Sequence, residues 1–330
     1  MAKLKLTCAL SANPRTKGIA EGQFAAEGIE LEVTTLHPSE MFFRQLKYAE
    51  FDVSEMSNSS LSIMTAQGPT QWVGIPVFTS RQFFHTNLMI RTDRGIEKPQ
   101  DLAGKRIGVA EFQQTAAVWT RAALRSEFGV DPRSLHWYME RNPDQSHGGA
   151  TGFVPPEGID LQYIPKTKDI GQMLIDGELD AGRWINAHNL IDRSHADPLS
   201  SPNVRYLFDP PEVEAKRYYE KTNIYPINHC VVVRRSIVEK YPWVILNLYS
   251  MFQEVKARNA RSLDATLEPY YEAGLIDAAE KATLHKDIMP YGIKANRHVL
   301  ETITQTNLDD GLVKRKVGLE EMFSPNTLDL

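Results

Sequence analysis

Short apolar strands alternate with amphipathic helices from the start of this chain, and that alternation excludes most folds. "KLKLTCAL", "IELEVTTL" and "FDVSEM" read as strands, and "PSEMFFRQLKYAE" and "NSSLSIMTAQG" read as helices, the first with Phe42 and Leu46 at i, i+4. Such an order needs crossover connections, and so predicts an α/β protein with mostly parallel sheets. "WVGIPVFTS" and "FFHTNLMIRTD" read as further strands, after which "DLAGKRIGV" opens a second unit and "TAAVWTRAALRSEFG" follows as a helix. A chain of 330 residues suits two lobes of roughly 150 residues each. "MERNPDQSHGGATGFVPPEG" (139–158) is rich in Gly, Pro and polar residues and reads as an exposed loop. "YPWVILNLYSMFQEVKARNARSL" is a long helix with a core stripe of Val244, Leu248, Met251, Phe252 and Val255.

One internal echo supports two similar lobes. "QLKYAEFDVSEM" (45–56) and "MLIDGELDAGRW" (173–184) share a plan of helix end, turn and strand tip. In register, Glu50 matches Glu178, Asp52 matches Asp180, and Glu55 matches Arg183. Facing strand tips would then present opposite charges.

Composition narrows the function. The net charge of −5 contains no block of like charges, which argues against a nucleic-acid footprint but allows local arginines to bind a small anion. Cys8 and Cys230 form no CxxC pair and read as buried free thiols. No HExxH or comparable metal spacing occurs, nor GxSxG, and "GGATG" (148–152) lacks the Lys-Ser/Thr ending of a phosphate loop. No apolar run reaches the roughly 18 residues of a membrane span. No signal-peptide core precedes a cleavage site, so no membrane role and a cytoplasmic location are expected.

Ligands of open α/β sheets bind beyond the carboxyl ends of the strands, where helix N-termini favour anions. Four such junctions are polar here: "SANPRTKG", "SEMSNSSL", "AEFQQTAA" and "AGRWINAH". Arg15 and Thr16 fit a bound carboxylate or a solvated turn. Ser57 and Ser59 belong to a run of Ser-Asn-Ser-Ser too polar for one helix cap alone. Glu55 and Glu111 stand at strand tips, Gln113 and Thr115 serve as cap or contact, and Arg183 can hold an anion. His85 and His229 each occupy an apolar strand; singly each reads as core, together they point to a cleft.

Several segments carry a resemblance. "EFDVSEMSNSS", "IPVFTSRQFFHTNLMI", "GIEKPQDLAGKRIGVAEFQQTAAVW", "YPINHCVVVRR", "YPWVILNLYSMFQEVK", "YGIKANRHVLET" and "EEMFSPNTLD" resemble, in order, the 4,5-dihydroxyphthalate decarboxylases. That family has the type II periplasmic-binding-protein-like fold. The resemblance implies two lobes, one built from 1–91 and 231–330 and the other from 92–230, with crossing strands near 85–91 and 225–231 and the ligand between. Its pattern matches Arg15, Thr16, Glu55, Ser57, Arg81, His85, Glu111, Gln113, Thr115 and His229. "SANP" and "GRWINAHNL" depart from it, which leaves room for a different aromatic acid.

The resemblance further implies conversion of 4,5-dihydroxyphthalate to protocatechuate and carbon dioxide, without an organic cofactor. A divalent metal stays open, as does a homo-oligomer. In that chemistry His85 is the expected proton donor, Glu111 or Glu55 the expected base, His229 the alternative in either role, and Arg15, Arg81 and Arg183 the carboxylate clamps. The competing reading is a non-catalytic binding protein or sensor for an aromatic carboxylate using the same cleft.

Overall fold

The computed structural model describes residues 2–185, 191–193 and 196–330. From the N-terminus, β1 (Leu4–Leu10), α1 (Lys17–Ala20), β2 (Ile29–Thr35), α2 (Pro38–Tyr48), β3 (Val53–Ser57), α3 (Asn58–Gln67) and β4 (Trp72–Arg81) build the first lobe. The second contains β5 (Met89–Arg91), β6 (Arg106–Val109), α4 (Thr115–Phe128), β7 (His136–Met139), α5 (His147–Thr151), β8 (Asp160–Tyr163), α6 (Ile170–Ile175), β9 (Ala181–Gly182) and β10 (Val204–Tyr206). The chain returns through α7 (Pro211–Thr222) to β11 (Ile227–Arg234). It closes with α8 (Arg235–Lys240), α9 (Val244–Glu272), α10 (Ala278–Leu284), α11 (Arg297–Asp309) and α12 (Leu319–Met322).

The first sheet has the order β2-β1-β3-β11-β4 and the second β10-β5-β9-β6-β7-β8. In each, a parallel core meets one antiparallel strand just after the chain has changed lobes: β11 beside β3, and β5 beside β9. The echo between Asp52 and Asp180 is structural. Asp52 N–H donates to the Thr7 carbonyl (3.1 Å) and its carboxylate accepts from Thr7 N–H (3.0 Å). Asp180 repeats this pair with Arg106 (2.9 Å each way). The carbonyls of the two aspartates accept from Arg234 and Arg91, on the equivalent antiparallel strands. A short turn residue that locks its own strand to two neighbours is what the repeated Glu-x-Asp encodes.

The crossings differ from the expected pair of strands. His85 lies on a 3-10 turn (Phe84–Asn87), not a strand, and β5 after it already belongs to the second sheet. The return runs through α7, and all of β11 pairs within the first sheet. The segment 139–158 is not simply exposed: Glu140, Arg141, Ser146, His147 and Thr151 are buried, and α5 lies within it. The expected stripe of α9 is buried as a set, but the helix continues to Glu272. Cys8 and Cys230 are free and buried. No described helix is long and apolar enough to cross a membrane.

Direct contacts hold the lobes together. Trp119 Nε1 donates to the Ile227 carbonyl (2.9 Å), Ser59 Oγ to the Gln113 carbonyl (3.0 Å), and Arg121 pairs with Asp310 (2.7 Å) with both side chains buried.

Candidate active site

A cavity of about 260 Å³ lies where these contacts converge. That is near the lower end of the ~300–1,000 Å³ usual for small-molecule sites, and suits one small substituted ring. Three helices start at its wall: α2 at His37–Ser39, α3 at Ser57 and α4 at Gln114–Ala116. In α2 and α3 some of the first N–H groups are already capped, by His37 Nδ1 and by Thr115 Oγ1 and Ser57 Oγ, but each helix start keeps its partial positive charge, so the cavity favours an anion before any side chain is counted. Gln114 makes no side-chain capping bond, so the start of α4 stays open to a ligand. Ser57 Oγ and Thr115 Oγ1 are 2.8 Å apart and tie the starts of α3 and α4 together across the lobes. Phe42 and Phe84 supply apolar wall.

His229 projects into this cavity from β11. Its Nδ1 lies 3.0 Å from Glu55 Oε2, because β11 and β3 are neighbours with His229 opposite Ser57. Glu55 is buried and also accepts from Ser11 N and Oγ (2.7 Å each) and Thr79 Oγ1 (2.6 Å). Burial alone would raise its pKa, but the bonds from His229, Thr79 and Ser11 outweigh that and hold it below the usual carboxylate range. Glu55 is therefore a fixed anion that keeps a proton on Nδ1 and leaves Nε2 for a ligand. Ser11, which helps hold it, comes from the divergent "SANP" stretch.

Arg183 lines the cavity with a buried side chain that has no carboxylate partner among the described residues. Its guanidinium stands 4.9 Å from the Phe84 ring centre, and its buried Nε makes no hydrogen bond. Burial alone pulls its pKa down to about 10. Arg141 also reaches the cavity, but it is engaged: it donates to Glu111 (2.8 Å), Asp192 (2.6 Å) and Ser39 Oγ (2.6 Å). Glu111 further accepts the His147 backbone N–H and a bond from Gln113. His147 lines the cavity, and burial holds its pKa below the usual histidine value.

Of the residues expected from sequence, Ser57, Thr115, Arg183 and His229 meet around the cavity, with Glu55 behind His229. The others lie outside its wall. Glu111 is the buried counter-ion of Arg141 (2.8 Å). Gln113 and Ser59 join the lobes through Ser59 Oγ and the Gln113 carbonyl, one and two positions away from the lining residues Gln114 and Ser57. Arg15 donates to the Thr79 carbonyl (2.5 Å), and Thr16 closes the turn before α1 by bonding to Asn13 (3.1 Å). Arg81 is spent on the carbonyls of Tyr225 (3.1 Å) and Pro290 (2.8 Å) and on Asn296. His85 faces α7: its Nε2 is 3.1 Å from Glu214, and its ring packs on Tyr218 and Phe208. Residues 186–190 of "GRWINAHNL" lie outside the described residues.

Sequence reasoning missed Arg141 and His147, while Gln114 belongs to the polar junction "AEFQQTAA" without having been assigned a role. A signal existed for the first two, since "ERNP" follows the tip of the apolar strand "HWYM", a fifth polar junction of the kind already noted. No cluster of three or more His, Cys, Asp and Glu side chains among the described residues is placed to hold a metal ion.

His85→Asn is expected to leave turnover within about threefold of wild type while costing about 1–3 kcal/mol of stability, since it weakens the hydrogen bonding of a buried carboxylate. Burial opposes the Glu214 carboxylate, but Arg217 and His85 pull its pKa down to about 2. An unfolded chain takes that proton near 4.5. The stabilisation is therefore complete above pH 4.5 and is lost as pH falls from 4.5 toward 2. The stability gap between wild type and the variant should shrink over that window in denaturant titrations. A large loss of turnover at unchanged stability would return His85 to the chemistry.

Residues 18–138 match the NMT1/THI5 like family. The chain is 34% identical over 334 residues to the 4,5-dihydroxyphthalate decarboxylase of Comamonas testosteroni, covering 100% of this chain and 99% of that one. It is also 34% identical over 219 residues to the enzyme of the same name from Pseudomonas putida, covering 66% of this chain and 83% of that one. Among solved structures it is similar to the periplasmic aliphatic sulphonate binding protein SsuA of Escherichia coli, with a TM-score of 0.56, 12% identity and full coverage of both chains. The alkanesulfonate-binding protein SsuA of Xanthomonas axonopodis pv. citri, bound to MOPS, gives a TM-score of 0.54 at 10% identity, with 96% of each chain covered. At such identities the structural likeness speaks for the two-lobed binding-protein fold alone, while the full-length likeness in sequence decides the family: the chain belongs to the 4,5-dihydroxyphthalate decarboxylases.

Proposed function

We propose that this protein removes one carboxylate, as carbon dioxide, from 4,5-dihydroxyphthalate or a closely related dihydroxylated aromatic acid held between the lobes. The reading needs no organic cofactor and places the reaction in the cytoplasm. The observation that carries it is the pairing, around one small cavity, of an imidazole backed by a buried carboxylate with a buried arginine that has no counter-ion among the described residues.

Direct loss of carbon dioxide from an aryl carboxylate would leave a ring carbanion. Protonating the carboxylate-bearing carbon first avoids that. A hydroxyl para to this carbon donates electron density, and His229 Nε2–H delivers the proton to the carbon. The bond to the carboxylate then breaks, its electron pair returns to the ring, and carbon dioxide leaves. Solvent restores the proton to His229. Glu55 stabilises the charged imidazole before transfer and keeps Nδ1 protonated throughout. His147, held neutral by burial, is the cavity group suited to accept a phenolic proton. Arg183 grips the retained carboxylate, with the helix starts assisting. The leaving carboxylate belongs against the apolar wall, since gripping both alike would not speed the chemical step.

Incubating the protein with 4,5-dihydroxyphthalate, while following the ultraviolet spectrum and released carbon dioxide, tests the proposal. Tight binding without carbon dioxide would favour the second reading, a non-catalytic binder, for which the two binding-protein neighbours speak.

A further inference from the structure

The pairing of β11 slips beside the cavity. Ile227 lies opposite Arg81 and His229 opposite Ser80, so two steps along β11 match one step along β4, and Asn228 is the extra residue of a β-bulge. Neighbours on a regular strand point to opposite faces of the sheet. Here Asn228 and His229 both line the cavity, while Ile227 before them is buried in the core. On its other side β11 pairs with β3 in regular register from His229 onward, so the slip leaves the bond between His229 and Glu55 in place. The bulge thus adds a second polar side chain next to the imidazole without displacing the first.

The added side chain is available to a ligand. Its one hydrogen bond among the described residues is a long one, from Nδ2 to Ser80 Oγ (3.5 Å), and its carboxamide oxygen accepts none from them. Asn228 and Ser80 are both half-buried and both line the cavity. Other hydroxyls at the wall are engaged: Ser39 accepts from Arg141, and Ser57 is bonded to Thr115. A carboxamide has no charge with which to grip a carboxylate, but it donates and accepts at once, which suits a phenolic hydroxyl. In 4,5-dihydroxyphthalate one hydroxyl is para to the leaving carboxylate and supplies electrons. The other is meta to it and is not needed by the chemistry, so it contributes through recognition.

We propose that Asn228, re-aimed by the bulge and backed by Ser80, reads the hydroxyl meta to the leaving carboxylate and so sets a preference for a dihydroxylated over a monohydroxylated phthalate. This rests on the decarboxylase reading of the cavity. 4-Hydroxyphthalate keeps a hydroxyl para to one carboxylate and lacks the other, so it isolates the contact. A dry site built around a hydroxyl rejects the analogue without it by about 10⁴-fold, but water can replace the partner of a half-buried amide, so wild type should favour the dihydroxy acid in kcat/KM by about 30-fold. Asn228→Leu should bring that ratio below about threefold, chiefly by loss on the dihydroxy acid. Asn228→Ser, which keeps a hydroxyl and is the smaller disturbance of the bulge, should fall between the two. A ratio that neither substitution changes, equal losses on both acids, or a wild type without preference overturns the proposal. If neither acid releases carbon dioxide, the decarboxylase reading fails by itself, and the ratio of the two acids' affinities in calorimetric titration tests Asn228 on the same terms.

Discussion

Replacing His229 with Asn lowers kcat by about 10²- to 10⁴-fold while KM stays within about threefold, the pattern of an interaction made only as the proton moves. Asn can still accept or donate at the cavity but cannot carry a proton to carbon. Stopped-flow decay of the substrate absorbance and equilibrium titration of the variant separate the two parameters. Glu55→Gln should lose a comparable share of kcat by another route. The carboxamide removes the anion that favours the charged ring and frees the tautomer, although Ser11 and Thr79 still surround the position. If His229→Asn decarboxylates at the wild-type rate, the paired His229 and Glu55 are structural and the acid lies elsewhere.

The contrast between the two histidines shows how much of this site could be read from sequence. Both stand in apolar company, "QFFHTN" and "PINHCV". Their separation in space depends on strand register. β11 places His229 opposite Ser57 and next to Glu55, whereas the chain at His85 has already left the sheet in a 3-10 turn and faces α7. Neither fact is local in sequence. The strand tips, by contrast, were legible. A carboxylate inside a wholly buried β3 is more than a helix cap at Ser57 requires, and the echo of Asp52 in Asp180 gave away the repeated lobe. Arg141 and His147 escaped because Gly- and Pro-rich composition usually marks surface, while here one buried guanidinium ties that segment to Glu111 and Asp192. Composition reports average exposure, not the one charged group that pulls a loop inward.

Arg183 and Arg81 look alike to every local measure, and their substitutions should differ in sign. Both are buried, and burial depresses both to about 10. Arg81 satisfies the carbonyls of Tyr225 and Pro290, so Arg81→Met leaves buried acceptors bare and lowers the melting temperature. Arg183 satisfies no described carboxylate, so its charge is desolvated without return in the empty protein. Arg183→Met should therefore raise the melting temperature of the unliganded protein, as removal of an unpaired buried charge does. The same change should weaken binding of a phthalate-like dianion by about 10²-fold, equivalent to about 2–3 kcal/mol, because the ligand's carboxylate loses a guanidinium that no described carboxylate engages. Arg183→Lys should recover part of that loss but not all, since an ammonium cannot make the paired bonds of the planar fork. Calorimetry of the unliganded variants and titration with the dianion measure the two effects separately. An Arg183→Met protein that binds as tightly as wild type would mean that the cavity's anion preference comes from the three helix starts alone. A stabilised protein that no longer binds would mean that the instability of this arginine is what the substrate carboxylate relieves on entering.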